Sequence, residues 1–322
     1  MTQPLNYTPK AIVDLLAMAD QAEATAPLTS AGLRYLISKL QRAEAFVLSD
    51  AGQLLDRSKP RPELPGLVVR PPFPVVALEY VANPVHWDDP IYSASPSTRR
   101  IALAWDHTDD IPGPLASMLG RPLTRGVIIA SICFYDEHQR WMPIGVAVHV
   151  DYEADWHRPS DKSAFRDSML ASGRLSKEAA GARTLPATPI PISPETIFAA
   201  AGAFGAAQAW DMMTADLMDE AGAYMDLCWA LACKNVSTRH QRAPEKLNKQ
   251  RIKAGKLPLH GFHVLELAGA PLGGSGEGSG VREGPRSHLR RGHIRRLPGE
   301  RVTWVNQTMV RGRGFLEKVY AA

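Results

Sequence analysis

Cysteine is scarce. Cys133, Cys228 and Cys233 are the only three in 322 residues, an odd number. They imply no disulfide framework, and a reducing compartment fits them best. Cys228 and Cys233 miss the C-x-x-C spacing and have no second pair, which argues against a zinc ligand set. All three read as buried structural thiols. Long apolar runs are also missing. The longest uncharged one, Thr196 to Trp210, is alanine-rich and too short to span a bilayer. Met1 to Lys10 is polar and contains proline, unlike a secretory signal. Disorder is excluded as well, because 45% of the residues are hydrophobic. The length admits two ordinary domains or one large one.

Charge is present but unevenly placed. Residues 239–322 carry 17 Lys and Arg against 6 Asp and Glu, a net of +11. Residues 1–238 carry 20 against 27, a net of −7. A basic last quarter on an acidic body suggests a division of labour, with the basic part meeting a polyanion. The plainer alternative is a solvated basic face that contacts nothing. The chain therefore divides into a body at 1–238 and a basic region at 239–322.

The pattern predicts an α+β fold with N-terminal helices, an antiparallel sheet, a long central helix and a C-terminal basic β-hairpin. Thr8-Pro9 reads as an N-cap with proline at the first helical position, followed by Ile12, Leu15, Leu16 and Ala19 at helical spacing. Ser30 is expected to cap a second helix with Leu33, Leu36, Ile37, Leu40 and Val47 inward. Six prolines between Pro60 and Pro74 predict an extended connector. Strand-like runs follow at 75–80, 101–105, 127–135 and 144–150, the last two joined by a polar hairpin turn at 136–140. Asp155 to Pro191 reads as a loop or insertion. Ser193-Pro194-Glu195 opens a helix running to about Cys233, with Met213, Leu217, Tyr224, Leu227 and Leu231 facing the core. Glycines 202, 205 and 222 are its candidate break points.

The basic region opens with Arg242, Lys246, Lys249, Arg251, Lys253 and Lys256, then a strand-like run at 260–267. A Gly-rich loop at 269–284 holds seven glycines and spans on the order of 20 Å. A β-hairpin is expected over 286–306, turning at Leu297-Pro298-Gly299-Glu300. Its first strand is the densest cluster of functional side chains in the chain: Arg286, His288, Arg290, Arg291, His293, Arg295 and Arg296. Five guanidiniums so close repel one another unless an anion sits among them, and a phosphate backbone is the obvious anion.

Three roles fit this cluster. In a metal-independent ribonuclease, His288 and His293 would be the catalytic acid and base, with the arginines stabilising the phosphorane. In a binding module, Arg286, Arg290, Arg291, Arg295 and Arg296 would hold phosphates, joined by Lys249, Arg251 and Lys253, with Trp304 stacking on a base. In a solvated hairpin, the histidines would only pack against Trp304. On an alternating strand, His288 and His293 fall on opposite faces unless Gly292 forms a bulge. None of these roles requires a metal or a cofactor.

The run His288-Leu289-Arg290-Arg291-Gly292-His293, followed by Arg301-Val302-Thr303-Trp304-Val305-Asn306, resembles the C-terminal signature of the second type V-A anti-CRISPR family, which is phage-encoded. The strand around Pro71 to Glu79, the helix end Trp229 to Cys233 and the stretch Leu247 to Arg251 are similar to further family positions. Two positions depart from the family: Ile294 stands where an aromatic is frequent, and Arg295 where a histidine occurs. That leaves Trp304 as the stacking residue. The resemblance implies an anti-defence protein of the host cytoplasm with no membrane role. It would recognise the nascent N-terminal peptide of a host defence nuclease and lower the level of its mRNA. Its partners would be that peptide and RNA, including RNA on ribosomes. A peptide-binding inhibitor without RNA contact is the third alternative.

An acidic constellation is the remaining candidate. Asp106, His107, Asp109 and Asp110, together with Asp151, Glu153, Asp155 and His157, follow predicted strands and could converge on a divalent cation. Acidic residues after strands are more often ordinary turn residues.

Overall fold

The computed structural model describes residues 6–55, 69–82, 97–108, 110–120, 122–153, 187–267, 288–290, 293–298, 301–305 and 308–310. The Gly-rich loop 269–284, residues 60–68 of the proline connector and residues 155–186 of the expected loop lie outside the described residues. Among the described residues, no helix is long and apolar enough to cross a membrane.

Two helices lead, α1 (Thr8–Ala22) and α2 (Pro27–Leu40), and then a short strand β1 (Glu44–Val47). Four strands form the centre: β2 (Val75–Val81), β3 (Ser97–Asp106), β4 (Gly126–Tyr135) and β5 (Arg140–Asp151), with the short helix α3 (Gly113–Ala116) between β3 and β4. After β6 (Ala187–Pro191) come α4 (Pro194–Phe204), α5 (Ala206–Asp216) and α6 (Met218–Leu231). The basic region contributes β7 (Val236–Gln241), α7 (Glu245–Lys253) and β8 (Phe262–Leu267), then four short strands: β9 (His288–Arg290), β10 (His293–Arg296), β11 (Val302–Val305) and β12 (Thr308–Val310).

Eight strands form one sheet in the order β6-β5-β4-β3-β2-β1-β8-β7. The expected antiparallel sheet is thus only part of the arrangement. From β2 to β6 the pairing is antiparallel, but β1 lies parallel to both β2 and β8, so the sheet is mixed. The central strands are apolar on both faces because both faces are covered. Ile101, Leu103 and Trp105 face a core shared with α1 and α2, while Ala102 and Ala104 face one shared with α6. The same alternation runs along β2 and β4. Within the α6 layer, the fully buried Glu220 accepts hydrogen bonds from Tyr80 and Arg100, each 3.0 Å long.

Several sequence expectations are corrected. The long central helix is three segments, broken at Gly205, one of the candidate break points, whose φ of +88° suits glycine, and again at Leu217. Val47 belongs to β1 rather than to a helix. The helix starts differ too. The N-cap positions are Tyr7 and Ala26, neither of which supplies a capping side chain. Two distant carboxylates do the capping instead. Glu79 of β2 accepts from the backbone N–H groups of Asn6, Tyr7 and Thr8 and from the Thr8 hydroxyl, at 2.7–2.9 Å. Glu195 of α4 accepts from the N–H groups of Leu28 and Thr29 and from the Thr29 hydroxyl, at 2.6–2.9 Å. Each satisfies the open donors of a helix start and complements its dipole. Ser30 lies inside α2 and donates to the carbonyl of Ala19.

Candidate functional site

β7 is an edge strand of the large sheet. Its residues Ser237, Thr238, Arg239 and His240 are exposed. The boundary between the acidic and basic parts of the sequence falls inside this strand, so the basic region is woven into the sheet through β7 and β8. Arg239 pairs with Glu266 across the β7–β8 ladder.

One end of β7 leads to α7, which has no buried residue. Asn248 staples this helix to the chain by bonds to the backbone N–H and carbonyl of Leu259, at 2.7 and 2.9 Å. The Arg251 guanidinium donates to the carbonyl of Leu257, so it holds the helix end in place. Lys246, Lys249 and Lys253 are exposed and three and four positions apart, which places them along one helical face.

The other end of β7 adjoins the arginine strands. Asn235 holds β11: its side-chain N–H donates to the carbonyl of Trp304, and its oxygen accepts from the Trp304 N–H and the Thr303 hydroxyl, at 2.8–3.0 Å. Lys234 N–H donates to the carbonyl of Val302, which is buried. Ile294 and Trp304 pack against the α6-side core, so Trp304 is partly committed to packing. Arg295 and Arg301 are exposed. The tether before these strands, Arg286 and Arg291 lie outside the described residues.

Two small antiparallel sheets follow, β10 with β11 and β12 with β9. His293 pairs with Val305 and Arg290 with Thr308, three residues further along each strand. His288 pairs with Val310 in the β12–β9 sheet, whereas His293 lies in the β10–β11 sheet, and Gly292 between them lies outside the described residues. Arg296 lies opposite Val302 and Arg295 opposite Thr303.

Where β1, β8 and β7 meet, the sheet gathers a group that sequence reasoning missed. His263 lies opposite His240 and beside Phe46, two residues on from Glu44. His263 Nε2 is 3.2 Å from Glu44 Oε2, and the two imidazole centroids are 4.8 Å apart. Glu44 and His240 open onto a cavity of about 420 Å³ also lined by Arg42, Arg242 and His260. Burial pushes the His260 imidazole below its ordinary pKa against the opposing charge of Glu44, which favours its neutral form. Its backbone exchanges hydrogen bonds with the Asn6 side chain. The available signal was the pair His260 and His263 at the start of a strand-like run, but it has no meaning until β1 is placed beside it.

The acidic constellation does not gather among the described residues. Asp106 takes Arg70 and Tyr152, Asp110 takes Lys39 and Tyr35, and Asp151 takes Thr124. Asp109, Asp155 and His157 lie outside the described residues. The cysteines are buried and free, with burial pushing all three thiols up to about 12.

Comparison with known proteins finds no matching family model, no matching curated protein and no matching solved structure.

Proposed function

We propose that this chain is an anti-defence protein of phage type that holds RNA along its basic edge. It would recognise the nascent N-terminal peptide of a host defence nuclease and promote loss of the mRNA being translated. The observation that carries the RNA part is the placement of cations along β7. The exposed lysine face of α7 lies at one end, Arg239 and Arg242 follow the strand and its exit, and the anchored arginine strands lie at the other. A six-residue strand spans about 20 Å, enough for several phosphates of a single strand. The peptide-reading role, phage origin and host-cytoplasm setting rest on the resemblance of residues 288–306. Binding is favoured over intrinsic cleavage because five arginines within residues 286–296 favour anion affinity, and the described pairings put His288 and His293 in two separate two-stranded sheets.

The test uses the full chain and a labelled single-stranded RNA, with affinity measured by anisotropy across salt concentrations. Affinity should fall steeply with salt. Replacing Lys249, Lys253 and Arg295 by glutamine should lower the logarithmic salt slope by about 2. An unchanged slope overturns the reading. RNA cleavage that disappears in the His288→Ala/His293→Ala variant while binding persists would establish the ribonuclease instead. Pull-down from translating cells, with peptide and RNA both sequenced, tests the nascent-peptide partner; absence of an enriched peptide–transcript pair removes that part.

A further inference from the structure

We propose that Glu44, His240 and His263 form a binding site for a divalent transition-metal ion, with zinc the best match to the donors. The site goes beyond the RNA-binding reading and does not rest on it. One donor atom comes from each of three adjacent strands, and all lie within 4.8 Å of one another. Two imidazoles and one carboxylate are a set that binds zinc and leaves a fourth position open. Around a tetrahedral zinc, donor atoms stand about 3.3 Å apart. Glu44 Oε2 and His263 Nε2 are already 3.2 Å apart. Glu44 and His240 are exposed.

Two further observations bear on how the donors are held. The His263 side chain is 11% exposed and held against Phe46 and Phe73, with ring centroids at 4.9 and 5.1 Å. Its Nδ1 is buried and has no hydrogen-bond partner among the described residues. The packing fixes the ring with Nε2 toward Glu44 as the ligating atom, and the buried Nδ1 takes no part in the site. Gly261 adds the second observation. A Cβ at that position would lie 2.7 Å from His240 Nε2, so the bare backbone leaves the space the imidazole occupies. The cavity beside Glu44 and His240 receives the open position, and Arg42 and Arg242 on its wall favour an anionic or water oxygen there.

The test titrates the full-length chain, stripped of metal by a chelator, with zinc in a calorimeter and with cobalt(II) in a spectrophotometer. One zinc per chain is expected, and the intense visible bands of four-coordinate cobalt. His240→Ala and Glu44→Gln should each weaken zinc at least about tenfold. Both positions are exposed, so circular dichroism should be unchanged. His107→Ala, whose ring stands 5.6 Å from that of His149 and outside this group, should leave uptake intact. Absence of zinc uptake overturns the proposal, and so does uptake that neither His240→Ala nor Glu44→Gln weakens. The Lys249, Lys253 and Arg295 replacements should not alter zinc uptake, so this proposal and the RNA reading fail separately.

Discussion

Lys39 is a cation that α2 buries almost completely. Its side chain is 4% exposed, its Nζ is 2.5 Å from Asp110, and it lies over the rings of Tyr35 and Trp105 at 5.0 and 5.6 Å. Burial alone would raise the Asp110 carboxyl. Hydrogen bonds from Lys39 and Thr108, together with the Lys39 charge, outweigh it and hold the group below the ordinary carboxylate range. A carboxyl depressed in the folded state contributes stability above its unfolded pKa of about 4 and loses it as pH falls through the folded value. Asp110 is itself 42% exposed, so solvent screens part of this pair. Asp110→Asn should therefore cost about 2 kcal/mol near neutral pH, mainly by stranding a buried ammonium. Urea unfolding at about pH 7 and about pH 3 should show the variant losing less than the native chain on acidification. Parallel losses would contradict the assignment.

Two contacts between elements decide how the layers sit. Gly32 of α2 faces the backbone of residue 192, where a Cβ would lie 1.9 Å from the Ile192 carbonyl oxygen. Gly32→Ala gains about 1 kcal/mol of helix propensity, yet it should destabilise the chain by about 3 kcal/mol because backbone has to move. A raised melting temperature would refute that close approach. Asn235 is the second contact. Asn235→Ala should release β11 from the end of β7, speed amide exchange at Val302–Val305 and weaken RNA binding, with the central sheet left protected. The doubly buried strands were legible because their apolar runs are continuous: 75–80, 101–105 and 127–135 fall where the sequence places them. β1 and β7 were not. β1 is four residues long, and β7 is a polar edge whose pairing is decided by a distant partner. The metal-ligating group was hidden for the same reason, since Glu44 and His263 are 219 positions apart. The arginine strand was legible as composition, but its anchoring by Asn235 was not, because a lone asparagine after a helix carries no pattern.

At the scale of the molecule, the charge division does not coincide with a structural one. β8 covers the edge of β1, and β7 covers β8. A chain ending at residue 238 should therefore expose β1 as an open parallel edge and lose one side of the cavity. It should express as aggregate rather than as an isolated acidic body, and size-exclusion chromatography checks this. A monodisperse, cooperatively melting fragment would show that the basic region is dispensable to the fold. RNA binding is accordingly a property to measure on the whole chain.

The carboxylate caps give the molecule a timetable. Glu79 follows the Thr8 donor it serves by 71 residues, and Glu195 follows Thr29 by 166. At the usual 5–20 residues per second, the second cap is synthesised roughly 10–30 s after its helix. Until then α2 is a short helix with open leading donors, marginal by itself. Folding of the first forty residues is thereby deferred until more than half of the chain exists. A ribosome stalled before residue 195 would carry an N-terminal layer not yet locked, open to proteases that the finished protein resists.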